Sequence, residues 1–272
     1  MSEMQPRIPK RIIQTGKNRQ LPLLQKAAVS NVRLLNPDFD YLFFDDLQVE
    51  AFFEQEAPEY REFVARLRYP IQKYDFFRYL AVYRHGGFYF DLDVFLASDL
   101  APLLEHGCVF SFEDLNISRF LRERFSMDWA IGNYAFGAAR GHPFLKAVIE
   151  NCVRAQKDPA WVEPMMRGIP RLFYPEFLIL NTTGPLLVSR TLAENPALAD
   201  NVTVLFPDDV CDSRNRHKFG NFGVHLMEAC WRTKCGRLRR YTAGFWELWT
   251  YRNFLKQSVR LGKTRQLRRN GQ

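Results

Sequence analysis

Short apolar segments typical of β-strands alternate along the chain with longer segments typical of α-helices. This alternation predicts an α/β fold. In the first hundred residues the order is β-α-β-α-α-β, which favours a nucleotide-binding sheet. Predicted strands cover residues 8–14, 39–44, 88–95, 109–112, 130–138 and 202–206, and predicted helices cover 21–35, 70–85, 143–155, 185–194 and 244–262.

Turn-forming residues mark several boundaries of these elements. Asn36-Pro37 ends the helix predicted over 21–35, and Asp45-Asp46 opens another helical stretch. Gly86-Gly87 follows the helix over 70–85, which predicts a left-handed C-terminal cap. These signals support the predicted order of elements.

The composition is that of a globular protein. Of 272 residues, 47% are hydrophobic and 25% are charged, which excludes a disordered chain, a collagen or a coiled coil. No apolar run approaches the ~18–20 residues that cross a bilayer, and the first eleven residues lack a signal-peptide core. The five cysteines show no metal-binding spacing, so we expect reduced, structural thiols. A cytoplasmic protein is therefore expected.

The positive charge is concentrated at the C-terminal end. Residues 232–272 contain twelve basic residues and one acidic residue, whereas the preceding residues carry a net charge of −3 out of the total of +8. Bulky apolar and basic residues are interleaved over 237–269. This pattern predicts either contact of the 244–272 tail with an anionic membrane surface or a core-docking helix with a solvated basic end. Nothing in the body supports nucleic-acid binding.

The strongest candidate for chemistry is the pair Asp91 and Asp93. On a strand, residues two apart point to one face, and the end of such a strand is where α/β sheets bind ligands. Two carboxylates there would hold Mg²⁺ or Mn²⁺ against a diphosphate. The same spacing in Asp38 and Asp40 is interpreted as a solvated turn that enters a strand.

The preceding helix adds a second pair. Asp75 and Arg78 are three residues apart, so they share one helix face. Because the double-glycine turn folds this helix back beside the strand, we expect both side chains to line one pocket with Asp91 and Asp93.

These residues form a long pattern, D-x-x-R-Y-x-x-x-Y-x-x-G-G-x-Y-x-D-x-D. It closely resembles the signature of glycosyltransferase family 32, the sugar transferases with a DXD motif. Residues 8–15, with the sequence IPKRIIQT, are similar to the opening segment of that family. The pattern residues, followed by the other matching positions, are Asp75, Arg78, Tyr79, Tyr83, Gly86, Gly87, Tyr89, Asp91 and Asp93, then Ile131-Gly132-Asn133, Gly141-His142-Pro143, Thr183-Gly184-Pro185, His225 and Trp231.

The resemblance implies a GT-A fold, in which a Rossmann-like nucleotide-binding sheet flanked by helices merges with a smaller acceptor-binding region. Residues 1–231 would form one catalytic domain, with a nucleotide-sugar half over about 1–100 and an acceptor half over about 101–231. Residues 232–272 would form a separate basic tail. The implied reaction moves a sugar from a UDP- or GDP-linked donor, with retention, to a glycan or lipid-linked acceptor in surface polysaccharide synthesis at the cytoplasmic face of the membrane.

The resemblance also implies roles for single residues. Asp91 would approach the ribose and the Mn²⁺ or Mg²⁺ ion, Asp93 would be the firmer metal ligand, and His225 would complete the metal site. Asp75 and Arg78 would hold sugar hydroxyls or a phosphate. No residue is identified as a nucleophile. The remaining predicted donor-binding residues are Gln14, Thr15, Tyr79, Gly87 and Trp231. Asn133 and Asn181 are assigned to surface or turn positions, with sugar binding as the alternative.

Two other functions fit parts of the pattern. In a phosphatase of the haloacid dehalogenase type, Asp91 would be the nucleophile, Asp93 the acid/base, and Asp208-Asp209 a later Mg²⁺ motif. That interpretation leaves Asp75 and Arg78 unexplained. The other alternative is a non-catalytic binding module that is related to sugar transferases.

Overall fold

The structure is a computed structural model that describes residues 7–115, 118–210 and 217–226. The predicted helix over 244–262, the basic tail and Trp231 lie outside the described residues. The strands are β1 (Arg11–Thr15), β2 (Asp40–Phe44), β3 (Gly87–Phe90), β4 (Val94–Leu96), β5 (Cys108–Leu115), β6 (Trp129–Ala138), β7 (Thr203–Leu205), β8 (Lys218–Phe219) and β9 (Gly223–His225). The helices are α1 (Leu23–Leu35), α2 (Asp46–Gln55), α3 (Arg61–Ala65), α4 (Pro70–His85), α5 (Arg119–Phe125), α6 (Pro143–Lys157), α7 (Pro159–Met166), α8 (Tyr174–Thr182), α9 (Pro185–Glu194) and α10 (Pro196–Ala199).

A six-stranded mixed sheet forms the centre of the described part, in the order β2-β1-β3-β6-β5-β7. The pairs β1–β2, β1–β3 and β5–β7 are parallel, and β6 runs antiparallel to both of its neighbours. A smaller antiparallel sheet has the order β4-β9-β8. The predicted α/β class is confirmed, and the mixed sheet agrees with the GT-A arrangement that the resemblance implies.

Aromatic side chains fill both faces of the large sheet. On β3, Phe88 and Phe90 belong to one buried cluster, whereas Tyr89 between them belongs to the cluster on the opposite face. The rings of Phe110 and Phe136 stack across β5 and β6 with their centroids 4.9 Å apart. The sheet is therefore buried on both faces, as expected for strands with almost continuous apolar sequence.

Helix α4 has the predicted bounds, and its two ends explain why. Pro70 occupies the first turn, where its missing N–H costs nothing. At the other end Gly86 has φ +67° and ψ 170°, so the prediction of a left-handed cap is wrong, although a positive φ is required. A Cβ on Gly86 would lie 2.7 Å from the ring of Pro9. The helix therefore stops where the chain must pass close to the segment that enters β1.

The predicted strand over 88–95 is wrong as a single element. It is two strands, β3 and β4, which belong to different sheets and are separated by a turn at Asp91–Asp93. The turn forms because β4 pairs with β9 rather than with β6. The chain must therefore leave the large sheet directly after Phe90.

Asp38 forms an exposed ion pair with Lys10, and Asp40 begins β2, as predicted for a solvated turn that enters a strand. Cys108 and Cys152 are buried free thiols, and burial raises the pKa of both. None of the helices within the described ranges is long and apolar enough to span a membrane.

Candidate active site

The turn at Asp91–Asp93 lies at the end of β3 and is fixed by backbone hydrogen bonds. The N–H of Asp91 donates to the carbonyl oxygen of Tyr134 at 2.8 Å, and the N–H of Val94 donates to the carbonyl oxygen of Asp91 at 3.1 Å. The predicted reason for the two carboxylates sharing a face, a common strand, is therefore incorrect. They are brought together by the turn.

Three ligand side chains converge at this turn. One ligand atom each from Asp91, Asp93 and His225 lies within 4.8 Å of the others, and no further group of three or more such residues occurs in the described part of the chain. His225 reaches the turn because β9 pairs with β4, which places His225 opposite Val94. The predicted metal ligands are thus brought together, from positions far apart in sequence.

The chemistry of this group fits a divalent cation. Nε2 of His225 lies 3.0 Å from Oδ1 of Asp93, and the imidazole ring stacks on Tyr134 at 4.5 Å between centroids. Nδ1 of His225 is buried without a hydrogen-bond partner among the described residues. Carboxylate oxygens with one imidazole nitrogen suit Mn²⁺, and the two carboxylates suit Mg²⁺.

A buried charge network lies beside these ligands. Nη1 of Arg78 is 3.1 Å from Oδ1 of Asp91, and Nη2 is 3.2 Å from Oδ1 of Asp75. Asp75 and Arg78 are each 5% exposed. The guanidinium group also lies over the ring of Tyr89, at 4.8 Å. The structure therefore brings Asp75, Arg78 and Asp91 into direct contact, with Arg78 bridging the carboxylates of Asp75 and Asp91.

Asn133, on β6, holds both members of the buried pair. Its side-chain Nδ2 donates to Oδ1 of Asp75 at 3.2 Å and to the hydroxyl of Tyr79 at 2.8 Å, while its backbone carbonyl oxygen accepts from Nη1 of Arg78 at 2.9 Å. Thr183 completes the network, because its hydroxyl donates to Oδ2 of Asp75 at 3.1 Å. Asn133 and Thr183 stand in the I-G-N and T-G-P segments, which were the available signals for them.

The prediction of a surface or turn position is wrong for both asparagines. Asn133 lies within β6 and is 8% exposed, and Asn181 lies within α8 and is 1% exposed. Nδ2 of Asn181 donates to the carbonyl oxygen of Phe177 at 2.8 Å. The amide of Asn181 therefore belongs to the helix core.

The network shifts the pKa values of its members. Burial raises the pKa of Asp75 to about 6, against the opposing effect of Arg78. Burial disfavours the charged form of Arg78, but the carboxylates of Asp91 and Asp75 help to raise the pKa of its guanidinium group above the ordinary value. Arg78 is thus a permanent cation, and Asp75 is mainly ionised at neutral pH.

The other predicted donor-binding residues lie in different surroundings. Gln14 is fully buried, and its Nε2 lies 3.4 Å from the carbonyl oxygens of Phe90 and Asp91, so it supports the backbone of the turn. The hydroxyl of Thr15 donates to the carbonyl oxygen of Phe44 at 2.9 Å. Gln14 and Thr15 therefore lie at the end of β1, next to the candidate site.

Tyr79 and Gly87 are both buried. The ring of Tyr79 is fully buried, and its hydroxyl donates to the carbonyl oxygen of Thr183 at 2.8 Å. Gly87 begins β3 with φ +111°, and a Cβ there would lie 2.6 Å from the carbonyl oxygen of Arg11. Tyr79 and Gly87 therefore stabilise the fold around the site and do not form a surface that is open to a ligand.

The phosphatase alternative gains no support from the arrangement. Asp208 and Asp209 do not join the group of Asp91, Asp93 and His225. Oδ1 of Asp208 instead accepts from Nδ2 of Asn221 at 3.4 Å, and this contact is exposed. Asp208 and Asp209 therefore do not supply the later Mg²⁺-binding motif that a phosphatase of the haloacid dehalogenase type requires.

A family model matches the part of the chain that contains most of the site. Residues 22–110 match the family described as the glycosyltransferase sugar-binding region containing the DXD motif. This region contains Asp75, Arg78, Asp91 and Asp93. The resemblance to the DXD glycosyltransferases is therefore confirmed as a sequence similarity over residues 22–110.

Individual relatives are consistent with this family. The chain is 26% identical over 253 residues to inositol phosphoceramide mannosyltransferase 3 of Schizosaccharomyces pombe, covering 91% of this chain and 62% of the relative. It is 29% identical over 182 residues to mannosyl phosphorylinositol ceramide synthase CSH1 of Saccharomyces cerevisiae, covering 67% of this chain and 42% of the relative. The chain therefore spans about two fifths to three fifths of the length of these two relatives.

Among solved structures, the PaToxG glycosyltransferase aligns with a TM-score of 0.46 and 14% sequence identity. The alignment covers 72% of this chain and 74% of that chain.

Proposed function

We propose that this chain is a metal-dependent glycosyltransferase that moves a sugar, with retention of configuration, from a UDP- or GDP-linked donor to a glycan or glycolipid acceptor. The observation that carries the proposal is the convergence of Asp91, Asp93 and His225 within 4.8 Å, directly beside the buried Arg78. A donor of this kind carries both a diphosphate and a polyhydroxylated ring. Carboxylates that hold a cation suit the diphosphate, and a buried carboxylate–guanidinium pair suits the ring hydroxyls or a phosphate.

Asp91, Asp93 and His225 are the residues that would hold Mn²⁺ or Mg²⁺. When bound, such a cation would stabilise the negative charge on the departing diphosphate. Arg78 adds a permanent positive charge against Asp91, and it orients that carboxylate through contacts of Nη1 with both oxygens, at 3.1 and 3.3 Å. Tyr89 orients the same carboxylate, because its hydroxyl donates to Oδ1 of Asp91 at 2.8 Å.

Asp75 is suited to accept hydrogen bonds from sugar hydroxyls. Its oxygens are held by donors from three elements: Arg78 on α4, Asn133 on β6, and Thr183 between α8 and α9. Such a carboxylate is already oriented before a ligand arrives, so little conformational entropy is lost on binding. No residue of the described part is assigned as a nucleophile.

Names of the relatives favour mannose as the sugar and an inositol phosphoceramide-like lipid as the acceptor. The predicted role in surface polysaccharide synthesis stays a prediction, as does the location at the cytoplasmic face of a membrane. A lipid-linked acceptor would be consistent with both.

The test is thermal unfolding with UDP, GDP and their sugar conjugates, each with and without Mn²⁺. A ligand at 100 times its Kd stabilises a protein by about 2.7 kcal/mol. We expect one nucleotide to raise Tm only when Mn²⁺ is present, and we expect Asp93→Asn to abolish that rise. The matched control is Asp38→Asn, which changes the exposed aspartate of the other D-x-D pair and should leave the rise intact.

Two outcomes would count against the proposal. If phosphate mimics with Mg²⁺ raise Tm and no nucleotide does, the phosphatase interpretation is favoured. An equal metal-dependent rise in the wild type and in Asp93→Asn would remove Asp93 from the metal site.

A further inference from the structure

The outer face of α1 carries exposed leucines and no carboxylate. Leu23 is 85% exposed and Leu34 is 79% exposed, and Ala27 and Ser30 between them are also exposed. At 100° per residue these four positions form one stripe, on the side of α1 opposite the buried residues Ala28 and Val32. We call the stripe Leu23, Ala27, Ser30 and Leu34 the α1 face.

Basic residues flank the α1 face. Residues 16–37 contain Lys17, Arg19, Lys26 and Arg33 and no acidic residue. Arg33 lies over the ring of Tyr41 at 5.1 Å, and Arg19 lies 3.9 Å from a carboxylate oxygen of Asp45. Lys17 and Lys26 are exposed, and no ion pair connects them to another described residue. The segment is therefore a local positive surface on a part of the chain whose net charge is slightly negative.

The basic segment begins beside the candidate active site. It follows β1 directly, and a Cβ on Gly16 would lie 2.8 Å from Cδ1 of Leu92, which is the middle residue of the turn at Asp91–Asp93. Farther along, Nδ2 of Asn31 donates to the carbonyl oxygen of Leu96 at 3.1 Å, which ties α1 to β4. Helix α1 and the segment before it therefore contact the turn at Asp91–Asp93 and the strand that follows this turn.

We propose that the α1 face docks onto an anionic lipid bilayer, with its leucines in the boundary between headgroups and acyl chains and with Lys17 and Lys26 against lipid phosphates. A helix with an apolar stripe flanked by lysine and arginine suits the surface of an anionic membrane. A second copy of the chain is disfavoured as the occupant, because a two-fold contact through this face would bring the same cations together. The α1 face goes beyond the proposed function. Only the suggestion that it brings the site to a lipid-linked acceptor rests on that function.

The test uses the full chain and vesicles, without nucleotide or metal. One set of vesicles is phosphatidylcholine alone, and the other contains phosphatidylglycerol as well. We expect sedimentation with the anionic vesicles only, weakened by salt. Replacing both exposed leucines (Leu23→Ser with Leu34→Ser) should weaken vesicle affinity about tenfold or more, which is about 1.4 kcal/mol, because both apolar side chains are lost from the bilayer boundary.

Leu47 provides the matched control. It is 81% exposed on α2, where Asp46, Glu50 and Glu54 supply negative charge, so Leu47→Ser should not change vesicle affinity. A local probe separates the α1 face from the basic C-terminal tail. We expect bromine-labelled lipids to quench the added fluorescence of Leu23→Trp, measured against the wild type, and not that of Leu47→Trp.

Each contrary result overturns the proposal. These results are sedimentation that is unchanged by the two serine substitutions, equal quenching of the two tryptophan variants, and no sedimentation with anionic vesicles. Self-association that is detected by sedimentation velocity and lost with Leu34→Ser would assign the α1 face to a protein contact instead. The nucleotide-dependent rise in Tm should persist in the double serine variant, so failure of the membrane proposal is distinguishable from failure of the proposed function.

Discussion

Arg78 and Asp91 form an ion pair in which Nη1 lies 3.1 Å from Oδ1, and the arginine side chain is 6% exposed while that of the aspartate is 25% exposed. The same guanidinium group contacts Asp75. One buried cation therefore bridges two carboxylates, one from the helix before the turn and one from the turn itself.

Removing this cation should be costly. We expect Arg78→Met to lower the free energy of unfolding by about 3–5 kcal/mol, because the substitution leaves a carboxylate buried without its partner. Urea unfolding of the purified variant measures the loss. Arg84→Met is the control, since its pair with Glu59 is half-exposed and should contribute at most about 1 kcal/mol. Equal losses in the two variants would contradict a special role for Arg78 in the network.

Asn133 should contribute through its donors. Asn133→Ala removes the hydrogen bonds to Asp75 and to the hydroxyl of Tyr79, and we expect a loss of about 1–3 kcal/mol in the free energy of unfolding. Asn221→Ala also removes a contact with an aspartate, Asp208, but that contact is exposed and its loss should stay within about 0.5 kcal/mol. A loss no larger for Asn133 than for Asn221 would exclude Asn133 as a support of the site.

The pH dependence of stability should contain a contribution from Asp75. Burial raises the pKa of its carboxyl to about 6 in the folded protein, from an ordinary value of 3.8. The folded state then binds the proton more tightly than the unfolded state, so this contribution is fully present below pH 3.8 and is lost as the pH rises through about 6. The comparison with Asp75→Asn isolates this contribution.

We compare the free energies of unfolding of the wild type and Asp75→Asn in the presence of a metal chelator. The wild-type value minus the variant value should decrease between pH 4 and pH 7 by an amount on the order of 2–3 kcal/mol. Urea unfolding of both proteins across this range provides the measurement. A relative stability that increases with pH would mean that Arg78 outweighs burial and lowers the pKa of Asp75.

Local signals predicted most of the elements and some of their bounds. Helices α4 and α9 have the predicted bounds because each begins with a proline in its first turn. Helix α7 was missed, since Pro164 lies inside it and interrupts the helical pattern. The small sheet was missed as well, because its strands have two or three residues and depend on pairing between distant segments.

The same distinction between local signals and contacts of distant segments applies to the site. The spacing of Asp75 and Arg78 on one helix predicted their contact, and the family motif predicted the group of Asp91, Asp93 and His225. The bridging position of Arg78 and the contacts of Asn133 and Thr183 with Asp75 join α4, β6 and the α8–α9 connection. Such contacts depend on how distant elements pack, which spacing within one segment does not determine.

Gly87 makes a close approach of the backbone possible at the start of β3. Gly87→Ala would place a Cβ 2.6 Å from the carbonyl oxygen of Arg11, at φ +111°. We expect a loss of about 2–6 kcal/mol, since backbone strain and overpacking each cost about 1–3 kcal/mol. Gly141 is the matched control, because its φ is +73° but no atom lies within 4 Å of an added Cβ. Gly141→Ala should cost only the backbone strain, about 1–2 kcal/mol, and urea unfolding compares the two. Equal losses would mean that the contact with Arg11 relaxes, and that the backbone angle alone requires glycine at position 87.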